Sequence, residues 1–284
     1  MSKVDAVILA GAPANELAET VSRCATSPAT QDDGANRAMI HVAGKSMLQW
    51  VVDALRGASS VGRIAAVGSV SADGLDLVVE PGGNLVENIR RGIEALNADG
   101  PVLVVCSDIP LLTPEAVEDF LERAEKLEVD LAYPILPRAH CEARYPGIKR
   151  TYLRTGDGVF TGGNIMLIRP EFVSRNWEAI AGAYAARKHV LKLARMIGIG
   201  VLIRVLAARV FSGLLRISML ERAAGRMLDA RVAAVVSAYP EIGEDVDKPS
   251  DLKAVQRFLV SNKRYSERSE ESRGRKADSS LRSE

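Results

Sequence analysis

Apolar residues in this chain follow two spacings. Short, largely apolar runs occur at Val4–Ala10, Arg63–Gly68, Leu75–Val79, Val102–Val105, Val129–Ile135, Phe160–Ile168 and Val232–Ser237. Runs of this length predict strands, and the continuous Val102–Val105 suits one buried on both faces. Between them the spacing changes to three and four. Leu48, Val51, Val52 and Leu55 share one helical face behind Ser46, and Leu85, Ile89, Ile93 and Leu96 share another behind Pro81-Gly82-Gly83-Asn84. Further helices are predicted over Glu115–Lys126, Glu221–Leu228 and Pro249–Leu259. Strand and helix alternate, so the pattern predicts an α/β fold around a mostly parallel sheet.

Polar residues at the strand ends carry the candidate chemistry. The run Pro101–Val105 leads through Cys106 and Ser107 to Asp108, and a helix start follows, with Thr113 as N-cap, Pro114 at its first position and Glu115 in its first turn. Asp108 therefore falls just past the carboxyl end of a central strand, where open α/β sheets place their ligands. A carboxylate there suits Mg²⁺ carrying phosphates; the alternative is an Asp that only caps a loop. The first strand ends in Gly11, which allows a ligand close to the backbone. Gly83-Asn84 opens a helix where an anion or a base could lie. Gly162-Gly163-Asn164 sits within the Phe160–Ile168 strand, another point of close approach. Asp245 and Asp247 alternate along an extended segment and point the same way.

Two segments depart from this pattern. Residues 137–158 are polar and irregular, with only Tyr152 and Leu153 suggesting a short edge strand. Between Ala179 and Leu220 there is no Asp or Glu, while Arg187, Lys188, Lys192, Arg195, Arg204, Arg209 and Arg216 are spread among Leu, Val and Ile. This reads as a helical insertion over about 179–228. Breaks at Gly198, Gly200 and Gly213 favour short helices packed on the sheet or on a second subunit; a peripheral contact of 187–216 with an anionic membrane is the alternative. Residues 12–35 read as a long loop, and 261–284, almost free of apolar residues, as a disordered charged tail behind a domain spanning 1–260.

Composition narrows the class. A net charge of +1 gives no basic excess for nucleic acid. Cys24, Cys106 and Cys141 are scattered and odd in number, as expected of reduced thiols in a cytoplasmic protein. Asp5 interrupts what would be the apolar region of a signal peptide, and no stretch reaches the length of a membrane span. There is no P-loop, no G-x-G-x-x-G after the first strand and no G-x-S-x-G. What remains is a strand-end glycine, a strand-end Asp and a distant acidic pair, which together point to Mg²⁺-dependent phosphate chemistry.

Several blocks, in order, resemble the MobA-like NTP transferases, the nucleotidyltransferases that include molybdenum-cofactor guanylyltransferase. They are Asp5–Gly11, Arg37–Leu48 with its Gly44-Lys45, Pro81–Asn88, Ser107–Thr113, Thr161–Asn164 and Gly243–Leu252. The resemblance implies a three-layer α/β/α GT-A-like (Rossmann-like) fold with a mixed, mostly parallel sheet. It implies transfer of NMP from a nucleoside triphosphate to a small phosphorylated acceptor, a sugar phosphate or a molybdopterin-like molecule, with release of pyrophosphate. By position, Leu9, Ala10 and Gly11 would touch the nucleoside and Gly83 and Asn84 the base. Asp108 and Asp247 would bind Mg²⁺, and Gly163 and Asn164 would face the acceptor. Arg37 aligns with the family's phosphate-binding lysine, with Arg23 or Lys45 as other candidates. The chain departs from the family after its first strand. Gly11-Ala12-Pro13-Ala14 lacks the second glycine and the arginine of the usual triphosphate loop. Two other readings follow from that departure: a GT-A-like glycosyltransferase using a nucleotide-sugar, and a non-catalytic nucleotide-binding protein.

Overall fold

The computed structural model describes residues 3–11, 36–186 and 212–261. The loop expected over 12–35 with Arg23, most of the basic insertion (187–211) and the tail from 262 lie outside the described residues.

Strand β1 (Val4–Leu9) lies between β4 (Val61–Val67) and β6 (Val102–Cys106), parallel to both, and β5 (Leu77–Val79) extends the parallel half beside β4. Their alternation sorts side chains onto two faces. Ala6, Ile8, Ile64, Ala66, Leu103 and Val105 pack with helices α1 (Met47–Gly57) and α3 (Pro114–Glu125) on one face. Val7, Leu9, Ala65, Val67, Val102 and Val104 pack with α2 (Leu85–Leu96) and the start of α5 (Pro170–Ala186) on the other. The result is three layers, α/β/α, with all four Val102–Val105 side chains buried. The helix starts follow the sequence: Ser46 Oγ accepts from Gln49 N (3.1 Å), Asn84 Oδ1 from Glu87 N (3.0 Å) and Thr113 Oγ1 from Ala116 N (3.3 Å).

Beyond β6 the sheet becomes mixed. β10 (Ile165–Ile168) runs antiparallel to both β6 and β7 (Leu131–Pro137); β9 (Gly158–Gly162) is antiparallel to β7 and to β8 (Leu153–Thr155), and β11 (Val232–Val236) is parallel to β7. The single strand expected over Phe160–Ile168 is therefore two strands. At Gly163 the pairing with β7 shifts register, from Gly162 opposite Ile135 to Leu167 opposite Ala132, where Gly163 N–H donates to Pro134 O (3.0 Å) and Asn164 N–H to Ile242 O (2.8 Å). The segment expected to be irregular also contains helix α4 (Arg138–Arg144), which buries only Cys141 and ties its surface with an Arg138–Glu142 pair. Helix α6 (Ile217–Leu228) precedes β11, and α7 (249–261) packs Leu252, Val255 and Leu259 against Met47, Leu111 and the hairpin β2–β3 (His41–Val42, Lys45–Ser46).

Candidate active site

Asp108 follows the carboxyl end of β6, and the acidic turn Asp245–Asp247 is fastened to it through backbone, Val246 N–H donating to Asp108 O (2.9 Å). The two acids are far apart in sequence, yet one side chain joins them. Arg37 Nη2 lies 2.9 Å from Asp108 Oδ2 and 2.6 Å from Asp247 Oδ1, and also donates to Val246 O. Arg37 begins a short 3₁₀ turn (Arg37–Met39) capped by Asn36, whose Oδ1 accepts from Ala38 N (2.9 Å) and whose Nδ2 donates to Ala10 O (2.7 Å). Asn36 thereby anchors this cation to the end of β1. The guanidinium is 12% exposed and its Nε is buried without an acceptor among the described residues.

The electrostatics separate the three carboxylates. Burial pushes Asp108 up to about 6, with Arg37 pulling it down and Asp245 and Asp247 pushing it further up. Burial and the charge of Asp247 raise Asp245. Burial also opposes ionisation of Asp247, but the hydrogen bond and charge of Arg37 outweigh it and hold this group below the usual carboxylate range. Cys106, at the end of β6, is pushed up to about 12 by burial and remains a thiol. The donors around Arg37 are therefore carboxylate oxygens, a set that suits Mg²⁺. Among the described residues no group of three or more His, Cys, Asp or Glu forms a closed cage. An ion held here would complete its shell from substrate oxygens.

A buried brace fixes the acidic turn. Arg150, 9% exposed, pairs with Glu244 Oε1 at 2.7 Å and donates to Gly243 O; Glu244 is 2% exposed. The same turn receives Asn164, whose N–H donates to Ile242 O and whose Nδ2 reaches Gly243 O at 3.3 Å, while Asn164 O accepts from Cys106 N (2.9 Å). Asn164 and Gly163 thus lie between the end of β6 and the turn carrying Asp245 and Asp247. A Cβ on Gly163 would meet Ile242 Cγ2 at 2.7 Å and Pro134 Cγ at 2.8 Å, so the position requires glycine.

The remaining expected residues fall in two places. Leu9 and Ala10 are buried, and both backbone groups of Ala10 are engaged, by Val67 O and by Asn36 Nδ2. Gly11 is the part of this strand end near the surface. It lies against Asn88 and Pro81, and Asn88 Oδ1 accepts from Gly82 N (2.6 Å), so the end of β1 and the Gly82-Gly83 turn are neighbours. Gly83 N–H already donates to Glu87 Oε2 (2.9 Å), so the chain's own carboxylate occupies the anion position at this helix start. A base against the backbone is the reading left for that turn. Lys45 pairs with Asp53 (2.6 Å) and lies over the Trp50 ring (4.9 Å); Arg37 is the cation on the acids. Sequence reading missed Asn36, Asn88 and the Arg150–Glu244 brace, whose only signal was polar character at positions that fold into the interior.

The sequence profile of the MobA-like NTP transferase domain matches residues 6–196. The chain belongs to this family. It is a nucleotidyltransferase, and its family implies a nucleoside triphosphate as substrate. No curated protein sequence matches it. Among solved structures it is similar to a hypothetical transferase from Thermus thermophilus, with 33% identity, a TM-score of 0.74, and coverage of 88% of this chain and 99% of that one. It also shares its fold with CMP:2-keto-3-deoxy-manno-octonic acid synthetase complexed with CTP (15% identity, TM-score 0.54, 92% and 100% covered). A third match is 2-C-methyl-D-erythritol 4-phosphate cytidylyltransferase, also from Thermus thermophilus (18% identity, TM-score 0.50, 90% and 98% covered). The last two likenesses concern the fold alone. Among the described residues no helix is long and apolar enough to cross a membrane.

Proposed function

We propose that this nucleotidyltransferase moves NMP from an NTP to a small phosphorylated acceptor, a sugar phosphate or molybdopterin-like molecule, with Mg²⁺ held by Asp108 and Asp247. The observation that carries the reading is Arg37 bridging two carboxylates from separate segments at the carboxyl edge of the sheet. Bound Mg²⁺ would neutralise charge on the triphosphate and on the departing pyrophosphate. Arg37, displaced from the acids, would take the triphosphate, since its fork pairs two phosphate oxygens at once. Lys45 reaches a phosphate only by leaving Asp53. Gly11 would lie along the nucleoside beside Leu9 and Ala10, and Gly83 and Asn84 along the base. Gly163 and Asn164 would hold the acceptor so that its phosphate oxygen faces the α-phosphorus. That oxygen forms the new bond as the α–β bridge breaks. No side-chain nucleophile is required, so catalysis is positioning and charge neutralisation.

Pyrophosphate release, measured with each NTP and a panel of phosphorylated acceptors in Mg²⁺ and in chelator, tests this. Acceptor-dependent, Mg²⁺-dependent pyrophosphate is the expected product. Release of nucleoside diphosphate from a nucleotide-sugar would overturn the proposal in favour of glycosyl transfer.

A further inference from the structure

Helix α6 presents Ile217, Leu220, Glu221 and Ala224, spaced three and four apart, to the sheet face formed by β7, β9 and β11. It does not close onto that face. A cavity of about 480 Å³ remains, within the range of small-molecule sites. Small residues line the space: Ala224 on the helix and Ala233 and Ala234 on β11. Three of the polar groups in its wall are already engaged. Tyr133 Oη donates to Gly163 O (2.8 Å), Glu221 Oε1 accepts from Ala234 N (2.8 Å), and Thr155 Oγ1 donates to Gly158 O (2.9 Å). What this cavity offers a guest is mostly apolar surface.

A second cavity, of about 540 Å³, adjoins it and has the opposite chemistry. Four acids, Glu244, Asp245, Asp247 and Asp251, line it together with Lys149, Arg150 and Lys248. Thr151 and Thr161 belong to both walls, so the two spaces are neighbours. Gly163 is tied to the wall of the apolar cavity by the Tyr133 hydrogen bond. A molecule reaching over Thr151 and Thr161 would have a charged end by the acidic turn and an apolar end beneath α6.

We propose that the acceptor is an amphiphile, with its phosphate in the charged cavity and a hydrocarbon or aromatic group filling the apolar cavity between α6 and β7–β9–β11. This rests on the nucleotidyltransferase reading above and names the class of acceptor.

The full-length protein is titrated calorimetrically with n-alkyl monophosphates of increasing length, each below its micellar concentration. Affinity should rise about fourfold per methylene, the effect of burying one CH₂, and level off once the cavity is full. Ala224→Trp, which fills the cavity, should flatten this rise while methyl phosphate binds as to wild type. Leu220→Ala should move the plateau to longer chains. Absence of alkyl phosphate binding, affinity independent of chain length, or an unchanged slope in both variants would overturn the proposal. Thermal shifts with NTP and Mg²⁺, measured separately on wild type, report the donor side. Their absence with a normal chain-length slope would sink the proposed function and leave the apolar site standing.

Discussion

Replacing Arg37 by Gln removes the cation that bridges Asp108 and Asp247 while keeping most of the side chain's volume. Breaking a buried ion pair from one side typically costs about 3–5 kcal/mol. Two features reduce that figure here. The Asp247 side chain is 58% exposed, so water replaces much of what Arg37 gave it. Asp108, raised to about 6, can take up a proton at a cost of about 1 kcal/mol near pH 7. The net loss in chelator should be about 1–2 kcal/mol, a fall of about 3–6 °C in melting temperature for a domain of this size. Mg²⁺ should recover it, because the divalent ion takes the position the guanidinium left. Wild type should gain less from Mg²⁺ alone, since Arg37 competes for the same oxygens. Turnover of Arg37→Gln should drop by about 100-fold through loss of the phosphate clamp. Differential scanning fluorimetry in chelator and in Mg²⁺ measures the stability part. A variant that melts with wild type in chelator and responds identically to Mg²⁺ would refute the idea that Arg37 holds a cation's place.

Other outcomes follow from the same geometry. Arg150→Met strands Glu244, which is 2% exposed, and should cost about 3–5 kcal/mol in urea unfolding; adding Glu244→Leu should restore most of it. If the single variant unfolds like wild type, the brace does not hold the acidic turn. In chelator, the raised Asp108 binds its proton more tightly folded than unfolded, so this group's contribution is complete below about pH 4 and lost as pH rises through about 6. The difference is about 3 kcal/mol over that window. Asp108→Asn should remove this slope from the pH–stability curve, and an unaltered slope would contradict the assignment. Asp247→Asn should lower Mg²⁺-dependent turnover more than Asp245→Asn, because Arg37 keeps Asp247 ionised whereas burial and Asp247 favour the neutral form of Asp245. Equal small effects would make both acids part of a solvated turn.

Much of this architecture is legible because local and global signals agree. Val102–Val105 is apolar on both faces and Thr113-Pro114 starts a helix, so Asp108 has few places to go. Ser46 and Asn84 cap the helices that their sequences announce. The break at Gly163-Asn164 was hidden because Phe160–Gly162 and Ile165–Ile168 are both good strand sequence. Their shift of register on β7 falls where Gly163 and Asn164 bond to Pro134 and Ile242, both remote in the chain. Helix α4 was hidden because it buries little besides Cys141 and so shows no apolar stripe. The contact of Arg37 with Asp247 joins residues 210 apart, and Arg150 meets Glu244 across 94. Sequence spacing marks such residues as polar; the fold alone assigns their partners.

Central to the proposed function is that Asp108 and Asp247 hold a nucleoside triphosphate through Mg²⁺. Thermal unfolding of wild type, Asp108→Asn and Asp247→Asn with each of the four NTPs, in Mg²⁺ and in chelator, tests it most directly. A nucleotide held at 100 times its dissociation constant stabilises by about 2.7 kcal/mol. Such a shift is expected in wild type with at least one NTP, only in Mg²⁺, and should be lost in both variants. A shift of equal size in chelator, or one kept by Asp108→Asn, would contradict it.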